Sequence, residues 1–256
     1  MEAELLFEVK KRVAWLTINR ESRRNAISQT VMTEIMRRLE EVADDPAISA
    51  VCFTGIGEKA FCSGADLAST LGGGDIKIGV ANYALLLKKM ARMEKPLVAR
   101  VNGPCLAGGM GFMLSCDIVI ARDDAYFSTP EVNVGIFPMM IGALIYRHVG
   151  RKKAMEMVLT ARRIGAAEAA EIGLISRAVP AAKLDEAVEE TLRIIAEKSP
   201  LGLALGKRAF HHMADLPLEE ALDYLAERLT EVIGTEDAAE GIAAFLEKRK
   251  PVFRGR

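Results

Sequence analysis

Residues 95–131 read KPLVARVNGPCLAGGMGFMLSCDIVIARDDAYFSTPE, and no other stretch restricts the possible folds as tightly. An apolar strand, Leu97–Val101, feeds a turn of small residues, Gly103-Pro104-Cys105-Leu106-Ala107-Gly108-Gly109. An apolar helix over residues 110–116 follows, then a second apolar strand over 117–121 and a turn carrying Pro130-Glu131. A strand that enters a helix through glycines leaves unpaired N–H groups at a positive helix end. Such a place suits an anion, or negative charge that develops during a reaction.

Upstream, Val13–Ile18 reads as a strand stopped by Asn19-Arg20-Glu21-Ser22. From Ser28, a good N-cap, Val31, Ile35, Leu39 and Val42 recur at helical spacing, and Asp44-Asp45-Pro46 ends that helix. Residues 50–54 form a short apolar strand closed by Gly55-Ile56-Gly57, and a second turn of small residues follows at 59–67. Leu71-Gly72-Gly73-Gly74-Asp75 is expected to be mobile, because ordering three glycines is costly. Residues 82–93 carry the pattern of an amphipathic helix.

Beyond the central stretch, Phe137-Pro138-Met139-Met140-Ile141-Gly142 is an apolar turn that opens a helix toward His148. Residues 152–159 and 166–172 read as short helices, and 174–179 as a strand. From Ala181 the strand signal disappears. Residues 183–198, 201–213, 218–233 and 238–249 read as helices separated by Ser199-Pro200, Leu216-Pro217 and Gly234-Thr235. The chain therefore divides into an α/β body, residues 1–197, and a helical region, residues 198–256. Strand pairs alternating with helices suggest a β-β-α repeat, although pattern alone does not separate this from a doubly wound sheet.

Half of the 256 residues are hydrophobic and 27% are charged, enough to bury a substantial core. A formal net charge of −1 gives no overall drive toward nucleic acid or an anionic membrane. Cys52, Cys62, Cys105 and Cys116 lack metal-ligand spacing, and they suit small buried thiols of a reducing compartment. The start, MEAELLFEVK, has neither the apolar core of a signal peptide nor the basic bias of a transit peptide. No apolar run approaches a membrane span, so a cytoplasmic protein is expected.

Ala107-Gly108-Gly109-Met110-Gly111-Phe112 lacks the third glycine of a dinucleotide fingerprint, and no Gly-Lys-Ser/Thr follows to make a phosphate loop. Alone, it would be a turn that lets a helix pack closely on a strand. Two such turns shift the balance. Gly64-Ala65 and Gly108-Gly109 each follow a strand and are each expected to open a helix. If they converge, one N–H from each grips a single oxygen, and losing one such donor costs about 3–4 kcal/mol of transition-state stabilisation.

Three blocks resemble the signatures of the crotonase (enoyl-CoA hydratase/isomerase) superfamily. They are Phe61-Cys62-Ser63-Gly64-Ala65-Asp66-Leu67, the run from Lys95-Pro96 through Gly108-Gly109, and Ser115-Cys116-Asp117. Pro130-Glu131 with Gly135-Ile136, Ala154 through Thr160, Ala169 through Leu174, and Ala244 through Lys250 extend the match in order over nearly the whole chain. The resemblance implies an α/β fold built as a spiral of β-β-α units, with a C-terminal helical trimerisation region and homotrimers or hexamers. It also implies a coenzyme A thioester as substrate, no tightly bound cofactor, no metal, and no nucleic-acid partner. By motif, Ala65 and Gly108 would supply the oxyanion-hole N–H groups, with Cys62, Gly64, Asp66, Leu67 and Gly109 around the ligand. Glu131 matches one of the two catalytic glutamates of hydratases. An apolar pocket of Phe137, Pro138 and Met139 is expected to raise its pKa. Phe245 and Lys248 match contacts to the adenine and 3′-phosphate, and Arg23, near Ala26, stands where a basic residue approaches the phosphates.

The second glutamate of hydratases falls at Gly111. A single carboxylate can still move a proton between carbons, so Gly111 favours double-bond isomerisation over hydration. The rivals are a hydratase that compensates for Gly111, a decarboxylase or thioester hydrolase, and a non-catalytic CoA- or RNA-binding relative.

Overall fold

The computed structural model describes residues 2–66 and 76–256. The expected mobile run at 71–75 and the ligand contact at Leu67 lie outside the described residues. In chain order the strands are β1 (Leu5–Lys10), β2 (Val13–Ile18), β3 (Ala50–Gly55), β4 (Leu97–Val101), β5 (Cys105–Leu106), β6 (Ile118–Arg122), β7 (Tyr126–Ser128), β8 (Ile164–Gly165) and β9 (Arg177–Val179). The helices of the body are α1 (Gln29–Asp44), α2 (Ile76–Ala91), α3 (Gly108–Leu114), α4 (Met139–His148), α5 (Arg151–Thr160), α6 (Ala166–Glu171) and α7 (Leu184–Ala196). α8 (Pro200–Met213), α9 (Leu218–Ile233) and α10 (Glu236–Leu246) complete the chain.

The larger sheet has the order β1-β2-β3-β4-β6-β9 and the smaller one β5-β7-β8. β1 pairs antiparallel with β2, and every later pair in the larger sheet is parallel. A doubly wound sheet reverses its strand order at a switch point. Here the order runs one way, so the chain advances as a spiral. A full turn takes one strand from each sheet and then a helix, as in β4, β5 and α3.

Side-chain alternation along the strands feeds two layers. Val51 and Phe53 of β3 point into the main core with the buried face of α1, while Ala50 and Cys52 meet Leu184, Val188 and Leu192 of α7. Ser28 caps α1, its Oγ accepting the Val31 N–H at 3.1 Å, and Val31, Ile35, Leu39 and Val42 are fully buried. The last three helices pack on one another, and Lys207 fastens them to the body. Its Nζ donates to Asp117 Oδ2 at 2.5 Å and to the Lys95 carbonyl at 2.9 Å. Leu218, Leu222, Leu229 and Ile233 on α9, with Phe245 and Leu246 at the end of α10, stay exposed. Among the described residues no helix is long and apolar enough to cross a membrane.

Three local expectations change. β1 is a strand that the sequence did not announce. α2 starts at Ile76, six residues before the expected 82. The strand expected over 174–179 shrinks to Arg177–Val179, with Leu174 and Ile175 buried in the turn before it. Ala65 forms a β-bridge with Ile27, and the helix expected to open after it lies outside the described residues.

Candidate active site

The site is assembled from the Ala65 and Gly108 turns. The segment at Ala26-Ile27 runs alongside the first of them. Ile27 N–H donates to the Gly64 carbonyl at 2.8 Å, and Asp66 N–H donates to the Ile27 carbonyl at 2.9 Å. Asn25 is wholly buried and holds the base of this segment. Its Nδ2 donates to the Ala60 carbonyl at 2.7 Å and its Oδ1 accepts from Arg20 N–H at 3.1 Å. Arg20 in turn donates to Asp66 Oδ2 at 2.7 Å and to the Ala26 carbonyl at 2.6 Å. The ion pair is largely buried, with 13% and 10% side-chain exposure. Arg20 Nε also meets Glu4 Oε1 at 3.2 Å, so one guanidinium ties the residue before β1, the Ala26 segment and the Asp66 turn together.

The two turns converge. Gly64 has φ +95°, and a Cβ there would stand 2.7 Å from Ala107 Cβ and 3.1 Å from Gly108 N. From the other side, Ala65 N lies 3.6 Å from where a Gly108 Cβ would be. Ala107 adopts φ 47°, ψ −130°, an unfavourable conformation for a residue with a side chain, and from it Gly108 enters α3. Among the described residues, neither the Ala65 N–H nor the Gly108 N–H has an acceptor. Gly109 packs against Cys62, whose carbonyl would be 2.5 Å from an added Cβ. Cys62 itself is fully buried, and burial pushes its thiol up to about 12, so its side chain stays inert.

Glu131 lies in the short 3-10 turn Pro130–Val134. The preceding residues anchor the turn: Thr129 Oγ1 donates to the Met157 carbonyl at 3.1 Å and Ser128 Oγ to the Ala161 carbonyl at 2.8 Å. Burial raises the Glu131 pKa above the ordinary carboxylate range, partly offset by its own backbone N–H. Its Oε2 is buried without a hydrogen-bond partner among the described residues. Buried polar atoms are nearly always paired, so an orphan carboxylate oxygen is the mark of a group that acts on something else. The expected cover is only partly in place: Pro138 is buried, whereas Phe137 and Met139 are exposed.

The space beside Gly111 is filled. A Cβ there would collide with Tyr83 Oη at 2.0 Å and lie 3.0 Å from Ile141 Cγ2. Tyr83 comes from α2, its ring tilted against Phe112 at a centroid distance of 5.8 Å, and its hydroxyl donates to the Gly108 carbonyl at 2.5 Å. Nothing in the sequence pointed to this residue.

The arrangement offers two free amides, one buried carboxylate and one phenol, which suits acid–base chemistry beside a developing oxyanion. Comparison with known proteins decides the family. The enoyl-CoA hydratase/isomerase family matches residues 8–256. A probable enoyl-CoA hydratase of Mycobacterium bovis is 36% identical over 253 residues, covering 98% of each chain. The chain belongs to the enoyl-CoA hydratase/isomerase family. A 2,3-dehydroadipyl-CoA hydratase of Escherichia coli is 34% identical over 256 residues, covering 99% of this chain and all of the relative. The crystal structure of an enoyl-CoA hydratase from Mycobacterium smegmatis superposes with a TM-score of 0.94 at 31% identity, over 98% of this chain and 99% of that one.

As a member of the enoyl-CoA hydratase/isomerase family, the protein is an enzyme of that type. The remaining family-matched residues sit at its surface. Arg23 is exposed beside Ala26, and among the described residues it makes no ion pair. Phe245 is 82% exposed at the end of α10, and Lys248 follows with φ 55°. Neither is brought into a packed site within one subunit.

Proposed function

We propose that this enzyme adds water across the double bond of a 2-enoyl-CoA thioester. In this proposal Ala65 and Gly108 donate to the thioester oxygen, and Glu131 moves the proton. The observation that carries it is the buried Oε2 of Glu131, which has no partner among the described residues, together with the Ala65 and Gly108 amides, which have no acceptor among them. As negative charge moves from the alkene onto the thioester oxygen, each amide contributes about 3–4 kcal/mol to the transition state. The hydratases among its relatives favour hydration over the isomerisation that Gly111 suggests.

Isomerisation remains the second proposal, because Gly111 supplies no carboxylate and Glu131 alone suffices to shuttle a proton between carbons. Supplying 2-enoyl-CoA and 3-enoyl-CoA and identifying the products separates the two. A 3-hydroxyacyl-CoA is expected from the former, and interconversion of the two enoyl thioesters without hydroxylation would overturn hydration.

We further propose that Phe245, Lys248 and Arg23 contact the nucleotide end of coenzyme A, while Ala26, Cys62, Gly64, Asp66 and Gly109 border the thioester through their backbone. Phe137, Pro138, Met139 and the space at Gly111 would border the acyl chain. The exposed apolar side chains of α9 and α10 support an oligomerisation region over residues 198–256, giving homotrimers or pairs of them. No tightly bound cofactor enters this scheme.

A further inference from the structure

We propose that Tyr83 is the second polar group of the reaction: its hydroxyl occupies the space where a side chain at position 111 would lie, and from there it holds the attacking water. The inference rests on hydration as proposed above. It begins from an overlap. A Cβ at Gly111 would stand 2.0 Å from Tyr83 Oη and 3.1 Å from Tyr83 Cζ, so a carboxylate at 111 and this phenol exclude one another. The residue that removes the second carboxylate is also the one that makes room for the hydroxyl.

The hydroxyl is aimed and fixed. It donates its proton to the Gly108 carbonyl at 2.5 Å, which leaves its oxygen lone pairs free to accept from a water. Ile141 Cγ2, 3.0 Å from the same Cβ position, adds an apolar methyl there. Tyr83 Oη and Ala65 N both lie within 3.6 Å of the point a Gly108 Cβ would occupy, so the phenol borders the amides that hold the thioester. Burial first, then Cys62, Cys105 and Glu131, hold the phenol pKa well above its ordinary value, so the hydroxyl keeps its proton.

The step balances with one carboxylate. Water donates one hydrogen bond to Tyr83 Oη, and its second hydrogen passes to ionised Glu131 as its oxygen bonds the β carbon. The alkene electron pair moves to the thioester oxygen, giving an enolate held by Ala65 and Gly108. Glu131 then returns that proton to the α carbon as the enolate collapses. One water is added, and Glu131 ends as it began.

The test compares wild type, Tyr83→Phe and Glu131→Gln in two assays. One is hydration of a 2-enoyl-CoA. The other is exchange of the α proton of a saturated acyl-CoA into heavy water, which needs Glu131 and the amides but no attacking water. Tyr83→Phe keeps the ring against Phe112 and removes only the hydroxyl. It should lower kcat for hydration about 100-fold, leave KM within about twofold, and leave exchange intact, whereas Glu131→Gln abolishes both. A second comparison guards against a folding defect: Gly111→Glu added to Tyr83→Ala should restore hydration lost in Tyr83→Ala alone. Undiminished hydration by Tyr83→Phe, or an equal loss of exchange, overturns the role of Tyr83 and leaves the proposed function standing. A wild-type enzyme that exchanges the α proton yet forms no hydroxyacyl product overturns hydration and this role together.

Discussion

Replacing Gly64 with alanine tests the convergence of the two turns without touching any polar group. The new methyl would lie 2.7 Å from Ala107 Cβ and 3.1 Å from Gly108 N, so the turns must part by several tenths of an ångström. The backbone also resists, since φ +95° costs an L-residue about 1–2 kcal/mol. Together with the overpacking, a stability loss of about 2–4 kcal/mol is expected. The effect on turnover should be larger than stability alone explains. Moving one amide off the oxyanion removes about 3–4 kcal/mol of transition-state stabilisation, a fall in kcat of about 10²–10³-fold. The assay follows the ultraviolet absorbance of the conjugated enoyl thioester, at a temperature where thermal melting shows the variant fully folded. A folded Gly64→Ala enzyme with wild-type kcat would refute the assignment of these turns as the oxyanion hole.

Glu131 must be ionised to accept a proton, and burial raises its pKa, so kcat/KM should fall on acidification before an ordinary carboxylate would titrate. The same shift has a sign for stability. A raised folded-state pKa favours folding below the unfolded pKa, and that contribution is lost as pH rises through the folded value. Glu131→Gln should therefore melt higher than wild type at neutral pH, with the gap closing in acid; a variant less stable at neutral pH would contradict this. Arg20→Met removes the ion pairs to Asp66 and Glu4 and the hydrogen bond to the Ala26 carbonyl, and should cost about 3–5 kcal/mol in urea unfolding. The four buried cysteines, with thiols pushed up by burial, should resist iodoacetamide in the native enzyme and all react in denaturant.

What the sequence disclosed followed from local chemistry. Ser28 before an apolar helical repeat gave α1 and its buried face, and a run that is apolar except for Arg100 gave Leu97–Val101. Glycines after strands marked both turns, since Gly64 and Gly109 have no room for a side chain. Other elements had no local signal. β5, β7 and β8 are two or three residues long, too short for periodicity to register. β1 mixes Leu5 and Phe7 with Glu8 and Lys10, because it is an edge strand and not a covered one. Ala65 pairs with Ile27 in a bridge between residues far apart in sequence, which no local pattern announces. Tyr83 was illegible for a deeper reason. Its place is defined by the side chain that Gly111 lacks, and only the folded chain brings an absence and its replacement together.

The central claim is that Glu131 moves the proton while the Ala65 and Gly108 amides hold the thioester oxygen as water is added. Turnover of a 2-enoyl-CoA in heavy water, followed by mass spectrometry and NMR of the product, tests it directly. The expected product is a 3-hydroxyacyl-CoA carrying one deuterium on its α carbon, formed by the wild type and not by Glu131→Gln. A 3-enoyl-CoA with no oxygen gained, or a hydroxyacyl product still formed at the wild-type rate by Glu131→Gln, would contradict it.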